Sequence, residues 1–160
     1  MCIRDSYCDL AKVDPSTLKK VATPGLDDHQ LKPEDFETEG LLSKDAAKII
    51  MKALYGARLV RYELLWPICS SARLVSKWTV ACDKRLHRLM SYIHWTEDHS
   101  LESFVGDDAQ YCHPVLYSDA DYAGDTQTAK STSGCYLAIV GPNTFAPITA
   151  SCIKQTCVSH

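Results

Sequence analysis

The sequence has no Cys-x-x-Cys pair, although eight of its 160 residues are cysteines. Cysteines at that spacing are typical of zinc modules and dithiol redox sites, so neither kind of site is indicated. The nearest approach to a metal cluster consists of Cys152, Cys157 and His160, and it matches no common zinc spacing. We therefore expect the cysteines to be small buried side chains with reduced thiols.

The chain also lacks an excess of basic residues and a long hydrophobic run. It has 17 lysines and arginines against 20 acidic residues, a net charge of -3, which is not typical of a general nucleic-acid binder. No run reaches the length of a transmembrane helix, and no apolar segment follows the first residues. We therefore expect a globular, intracellular protein that is not secreted and does not enter a membrane.

The most informative stretch covers residues 116–134 and reads LYSDADYAGDTQTAKSTSG. Val115 and Tyr117 favour a β-strand, yet this strand would carry Asp119 and Asp121. Side chains at i and i+2 of a strand lie on one face, so we expect both carboxylates beside Val115 and Tyr117. A half-buried carboxylate is costly unless a cation meets it, and hard divalent cations prefer oxygen ligands. The pattern therefore indicates a cation site.

The same stretch carries a family resemblance. SDADYAGD is followed by KSTSGC, a GPN turn, a Lys-Gln pair and VSH. The order and spacing of this run resemble the ribonuclease H domain of copia-type LTR retrotransposon Pol polyproteins. The resemblance implies that Asp119 is the first metal-binding catalytic carboxylate. Asp121 is either a further carboxylate of that metal site or a solvated surface residue.

The resemblance also implies a function and a setting. The parent enzyme would use Mg²⁺ and a two-metal mechanism to cleave the RNA strand of RNA–DNA hybrids during reverse transcription. Its partners would be the hybrid and the remainder of the Pol polyprotein, in a cytoplasmic virus-like particle or in the nucleus. In that family a catalytic Glu and further Asp residues follow the position of His160, so we expect this chain to be inactive alone. The alternative is a non-catalytic remnant, or a domesticated module that binds nucleic acid or protein.

Three amphipathic helices are predicted before the acidic stretch, at residues 43–57, 63–76 and 81–95, with Ser43 as the N-cap of the first. They resemble the segment between the reverse transcriptase palm and ribonuclease H in copia-type proteins. Arg61-Tyr62-Glu63 replaces the Arg-Pro-Asp turn of the family. We predict three regions: a loop-rich linker at 1–40, a reverse transcriptase thumb- or connection-like helical segment at 41–99, and a truncated ribonuclease-H-like domain at 100–160.

The last region is predicted to be a sheet. Turn residues and β-formers indicate strands at about 100–105, 114–122, 133–140 and 145–153. The predicted fold class is therefore α+β, a helical segment followed by a three-stranded antiparallel meander, as in a truncated ribonuclease-H-like fold. Leu137, Ile139 and Ile153 favour a face that a further element would cover, so we expect the isolated chain to be poorly soluble or partly ordered.

Two polar groups are candidates for nucleic-acid contact. Lys84, Arg85 and Arg88 form the polar side of the third predicted helix and could follow a phosphate backbone, or they could be a solvated face. Lys130, Ser131 and Thr132 could contact phosphates from a hairpin loop, or they could be an ordinary polar loop.

Overall fold

The computed structural model describes residues 3–121 and 129–158, with side chains described as far as residue 156. The chain divides into two compact units: residues 1–57 with 63–99, and residues 58–62 with 100–160. The described residues form helices in the first part and a four-stranded antiparallel sheet in the second, which confirms the α+β class. None of the helices within the described ranges is long and apolar enough to cross a membrane.

The helices are α1 (Ile3–Ala11), α2 (Ala46–Val60), α3 (Leu65–Ala72) and α4 (Val80–Trp95), and the strands are β1 (Phe104–Val105), β2 (His113–Ala120), β3 (Lys130–Gly141) and β4 (Thr144–Val158).

Helix α1 lies in the segment that was predicted to be a loop-rich linker, so that prediction is wrong for these residues. Lys12, directly after the last helical residue Ala11, has a left-handed φ of 53°, and Val13 N donates to Cys8 O at 3.1 Å. This is the hydrogen bond of a Schellman C-cap. The hydrophobic periodicity of the sequence did not predict this helix, because its buried side includes Ser6 and Cys8 rather than a stripe of large apolar residues.

The other helices follow the predicted periodicity with shifted ends. Helix α2 begins at Ala46, and the Ser43 hydroxyl donates to Glu39 Oε1 at 2.9 Å, so the predicted N-cap is wrong. A run of turns at residues 41–45 precedes the helix because Leu42 O accepts from both Asp45 N and Ala46 N. The largest fully buried side chains of this unit are Leu18, Ile49, Ile50, Ile68, Leu86, Leu89 and Met90.

The sheet has the strand order β1-β4-β3-β2. Strands β2, β3 and β4 follow one another as the predicted antiparallel meander. The short strand β1 pairs with the start of β4 through Phe104↔Phe145 and Val105↔Thr144. A register shift between Leu137 and Ala138 places a bulge in the β3–β4 ladder.

The tip of the β3–β4 hairpin is fixed by Asp107. Its carboxylate accepts from Asn143 N at 2.7 Å and Asn143 Nδ2 at 3.2 Å, while Thr144 Oγ1 accepts from Gly106 N and Asp107 N at 3.1 Å each. Hydrogen bonds from Thr144 and from Asn143 lower the pKa of Asp107. The loop before β2 is therefore tied to the turn between β3 and β4.

Asp83, in the first turn of α4, collects three donors from the preceding chain. Its carboxylate accepts from Leu41 N at 2.5 Å, Leu42 N at 3.2 Å and Trp78 Nε1 at 2.7 Å. Gly40 completes this contact, because a Cβ there would lie 2.5 Å from Thr79 O and 2.8 Å from Asp83 Oδ2. Asp83 thus joins the start of α4 to the loop that leads into α2.

Replacing Asp83 by alanine should destabilise the first unit by about 2–3 kcal/mol, because the donors, including the indole N–H of buried Trp78, lose their acceptor. Chemical denaturation followed by circular dichroism measures this. Asp98→Ala, a change at an exposed aspartate beyond α4, is the control and should stay within about 0.5 kcal/mol of the wild type. Equal effects of the two substitutions would contradict the anchoring role of Asp83.

Candidate metal centre and basic residues

Asp119 lies near the end of the edge strand β2, directly opposite Gly134 of β3. The pairs Val115↔Ala138 and Tyr117↔Tyr136 have the same parity, so Asp119 shares a face of the sheet with Val115 and Tyr117, as predicted. A Cβ built on Gly134 would meet nothing closer than Asp119 O at 4.0 Å. The space beside the carboxylate on the neighbouring strand is therefore open.

Each of the two aspartates accepts one backbone hydrogen bond. Asp119 Oδ1 accepts from Ala120 N at 2.9 Å, and Asp121 Oδ1 accepts from Thr132 N at 2.5 Å. Asp121 follows the last residue of β2, and its own N donates to Thr132 O at 3.1 Å. The second oxygen of each carboxylate has no protein partner within the described ranges, so it is available to a ligand.

Both carboxylates are exposed, which corrects the interpretation of Asp119 as half-buried and agrees with the alternative that Asp121 is solvated. The strand was expected to bury one face, but β2 is an edge strand and only Val115 in it is partly buried. Because water solvates both carboxylates, their placement does not require a cation to offset a desolvation cost. A cation there would be bound for function and would not be needed for folding.

The two carboxylates are donors of the type that suits Mg²⁺. Mg²⁺ takes oxygen ligands and is usually held by one or two carboxylates together with water and substrate phosphates. Asp119 and Asp121 fit that description, yet no group of three or more His, Cys, Asp or Glu side chains that could hold a metal occurs in the part of the chain that the structure describes. Asp125, which the sequence pattern would assign to a turn after the acidic stretch, and the tail residues Cys157 and His160 fall outside the side chains described.

An aromatic row shares the face of Asp119, and the sequence analysis did not single it out. Tyr136 contacts Tyr117, Phe145 and Tyr62, with ring centroids 6.1, 6.4 and 5.8 Å apart. Partial burial, followed by the nearby hydroxyls of Tyr62 and Tyr117, raises the pKa of Tyr136. Strand alternation places Tyr117 and Tyr136 opposite each other, but the contact with Tyr62 depends on chain folding that alternation does not predict.

The basic residues of α4 have partners in the loop at residues 23–35. Lys84 Nζ lies 2.6 Å from Asp35 Oδ2, Arg85 pairs with Asp28, and Arg88 Nε donates to Thr23 O at 2.9 Å. These contacts bind the loop to the helix, a role that the sequence analysis did not consider. That these residues contact nucleic acid remains a prediction. A phosphate backbone would have to compete with their partners in the loop.

The hairpin candidates Lys130, Ser131 and Thr132 begin strand β3, not a loop. Ser131 is buried, and Thr132 N is hydrogen bonded to Asp121, whereas Lys130 and the Thr132 side chain are partly exposed. Residues 122–128, which include the first half of the loop predicted at residues 125–132, lie outside the described residues. The structure thus leaves Lys130 and Thr132 as the more accessible members of this group.

The Lys84–Asp35 pair predicts a pH dependence of stability. A hydrogen bond from Lys84, and after it one from Lys32 N, lower the pKa of Asp35 in the folded protein. The ionised Asp35 carboxylate therefore stabilises the fold above the pKa that it has in the unfolded chain. This stabilisation is lost as the pH falls through the lower pKa of the folded state. Lys84→Gln should therefore destabilise the chain at neutral pH. The difference from the wild type should shrink below about pH 4.

Urea denaturation at a series of pH values measures this difference. Lys44→Gln, at an exposed lysine of the turn before α2, is the control. The assigned role of the Lys84–Asp35 pair would be contradicted if the difference in free energy of unfolding between the wild type and K84Q stayed constant down to pH 2.

Comparison with known proteins adds no further identification. No protein-family model matches the sequence, no curated protein is similar to it, and no solved structure matches it.

Proposed function

We propose that this chain is a segment of a copia-type retrotransposon Pol polyprotein, covering the end of the reverse transcriptase region and the start of a ribonuclease-H-like domain. The parent enzyme would cleave the RNA strand of RNA–DNA hybrids. The observation that carries the proposal is the position of the SDAD motif, which places Asp119 and Asp121 in solvent at the end of the first strand of an antiparallel meander. The helical segment before the sheet is consistent with this arrangement.

Within this proposal, Asp119 is a metal ligand. It would use the carboxylate oxygen that is not bonded to Ala120 N, and Asp121 would provide a second carboxylate nearby. Bound Mg²⁺ would activate a water molecule and stabilise the leaving oxygen of the scissile phosphate. The hydrogen bond from Ala120 N fixes the orientation of Asp119, as outer partners of metal ligands generally do.

The chain alone is proposed to be inactive as a nuclease. A two-metal centre needs several carboxylates to hold cations about 4 Å apart. The described residues bring no third candidate ligand to Asp119 and Asp121. The remaining ligands would come from other parts of the Pol polyprotein.

Asp119→Asn in the reverse transcriptase–ribonuclease H product that carries this segment should lower hybrid cleavage by about a hundredfold or more, because a metal ligand is lost. Cleavage of a labelled RNA–DNA hybrid in Mg²⁺ is the measurement. Asp108→Asn, at an exposed aspartate outside the motif, should leave cleavage unchanged. Normal cleavage by the D119N product would refute the proposed role.

A protein-binding module is the second candidate. Large apolar side chains are exposed on both faces of the sheet, among them Phe104 and Tyr117 on one face and Val105 and Leu116 on the other. Exposed apolar surface of this kind is typical of protein contacts. The net charge of -3 and the internal pairing of Lys84 and Arg85 favour a protein partner over nucleic acid. Hybrid binding without Mg²⁺ would instead favour a nucleic-acid-binding remnant.

A further inference from the structure

The Lys154–Gln155 pair is part of the sequence motif, but the site described above does not use it. Both residues belong to strand β4, and their side chains lie on opposite faces of the sheet because successive residues of a strand alternate. Gln155 Nε2 donates to Ser133 Oγ at 2.9 Å, so Gln155 occupies the face of Ser133. Lys154 is directly opposite Thr132 and occupies the other face.

The face of Lys154 is also the face of the candidate metal ligands. Thr132 and Gly134 are two residues apart in β3 with no register shift between them, so they share a face. Asp119 is opposite Gly134, and Lys154 is opposite Thr132. Asp121 N donates to Thr132 O, which continues the same register. Lys154 therefore lies on the face of both carboxylates.

Lys154 is two strands away from the carboxylates. Neighbouring strands are about 4.8 Å apart, so the Cα atoms of Lys154 and Asp121 are separated by roughly 10 Å. The flexible four-carbon stem of lysine covers much of that distance. The intervening residues of β3 on this face are Thr132 and Gly134, which are small. A phosphate group over β3 can therefore meet the Lys154 ammonium on one side and the carboxylate region on the other.

The charges of the two aspartates explain why a phosphate ligand needs Lys154. Two ionised carboxylates repel a phosphodiester, and one Mg²⁺ would only neutralise them, which leaves no positive charge for the phosphate itself. Lys154 is the only basic residue in the sequence of β4, and its ammonium supplies that charge on the correct face.

We propose that Lys154 is a phosphate-binding residue that positions a nucleic-acid backbone against Asp119 and Asp121. Its ammonium donates to a nonbridging oxygen of a phosphate group beside the carboxylates, as a point charge that does not read bases. The hydrogen bond between Gln155 and Ser133 on the opposite face keeps β4 in the register that directs Lys154 to this site. This role rests on the proposed nuclease function.

Binding of an RNA–DNA hybrid without added metal tests this role apart from cleavage. The D119N form of the reverse transcriptase–ribonuclease H product is the background, and fluorescence anisotropy at a series of salt concentrations is the measurement. Lys154→Met and Lys154→Gln should each weaken binding and lower the slope of log affinity against log salt by about 1, because one phosphate contact is lost. Lys154→Arg keeps the charge and should keep the slope.

The salt slope separates a phosphate contact from a structural role, since a lysine that only supports the fold would change affinity without changing the slope. Lys44→Met is the matched control, because it removes the charge of an exposed lysine in the turn before α2. It should change neither the affinity nor the slope.

Cleavage in Mg²⁺ separates the role of Lys154 from that of Asp119. Lys154→Met in the otherwise unchanged product should lower cleavage of subsaturating hybrid about tenfold, the loss expected for one charged hydrogen bond, and Lys154→Arg should retain most of the activity. Normal cleavage by D119N would refute the nuclease function itself. If D119N is inactive but Lys154→Met leaves the salt slope unchanged, the nuclease function stands and the role of Lys154 is overturned.

Discussion

The candidate site of this protein depends on the pairing of β2 with β3. Eight consecutive pairs, from His113↔Val140 to Ala120↔Ser133, set which face each β2 side chain occupies. Side chains alternate with a period of two, so a slip of one residue would move Asp119 to the other face and away from Gly134. The same slip would exchange the outward and inward backbone donors of the strand. The face on which Asp119 lies is thus a consequence of this register.

The two units use their charges differently. In the first unit Lys84, Arg85 and Asp83 are engaged in contacts that hold loops against α4, so these charges are part of the fold. In the second unit Asp119 and Asp121 are exposed, and each has an oxygen without a protein partner in the described ranges. Solvated carboxylates with unused oxygens cost the fold little and can serve a ligand. This contrast is why the sheet, rather than the basic helix, is the candidate site.

Local sequence patterns predicted those helices and strands whose buried or turn-forming residues recur at a regular spacing. Helix α4 and the three-stranded meander were found because apolar residues recur at helical spacing in one and turn residues separate β-formers in the other. Helix α1 was missed because Ser6 and Cys8 form part of its buried side. The burial of Ser131 and the partners of Lys84 and Arg88 were also missed, since they depend on residues far away in sequence. The exposure of Asp119 could not be read from alternation, which does not show whether a strand lies at an edge.

The register of β2 against β3 is the most direct test of this account. In the observed pairing, Leu116↔Leu137 and Ser118↔Cys135 are two of the non-hydrogen-bonded pairs, whose Cα atoms lie about 4.5 Å apart. Nuclear Overhauser spectra of the labelled chain should show Hα–Hα contacts for these two pairs. Contacts of Leu116 with Tyr136 or Ala138 instead would mean a shifted register, and the placement of Asp119 would then be wrong.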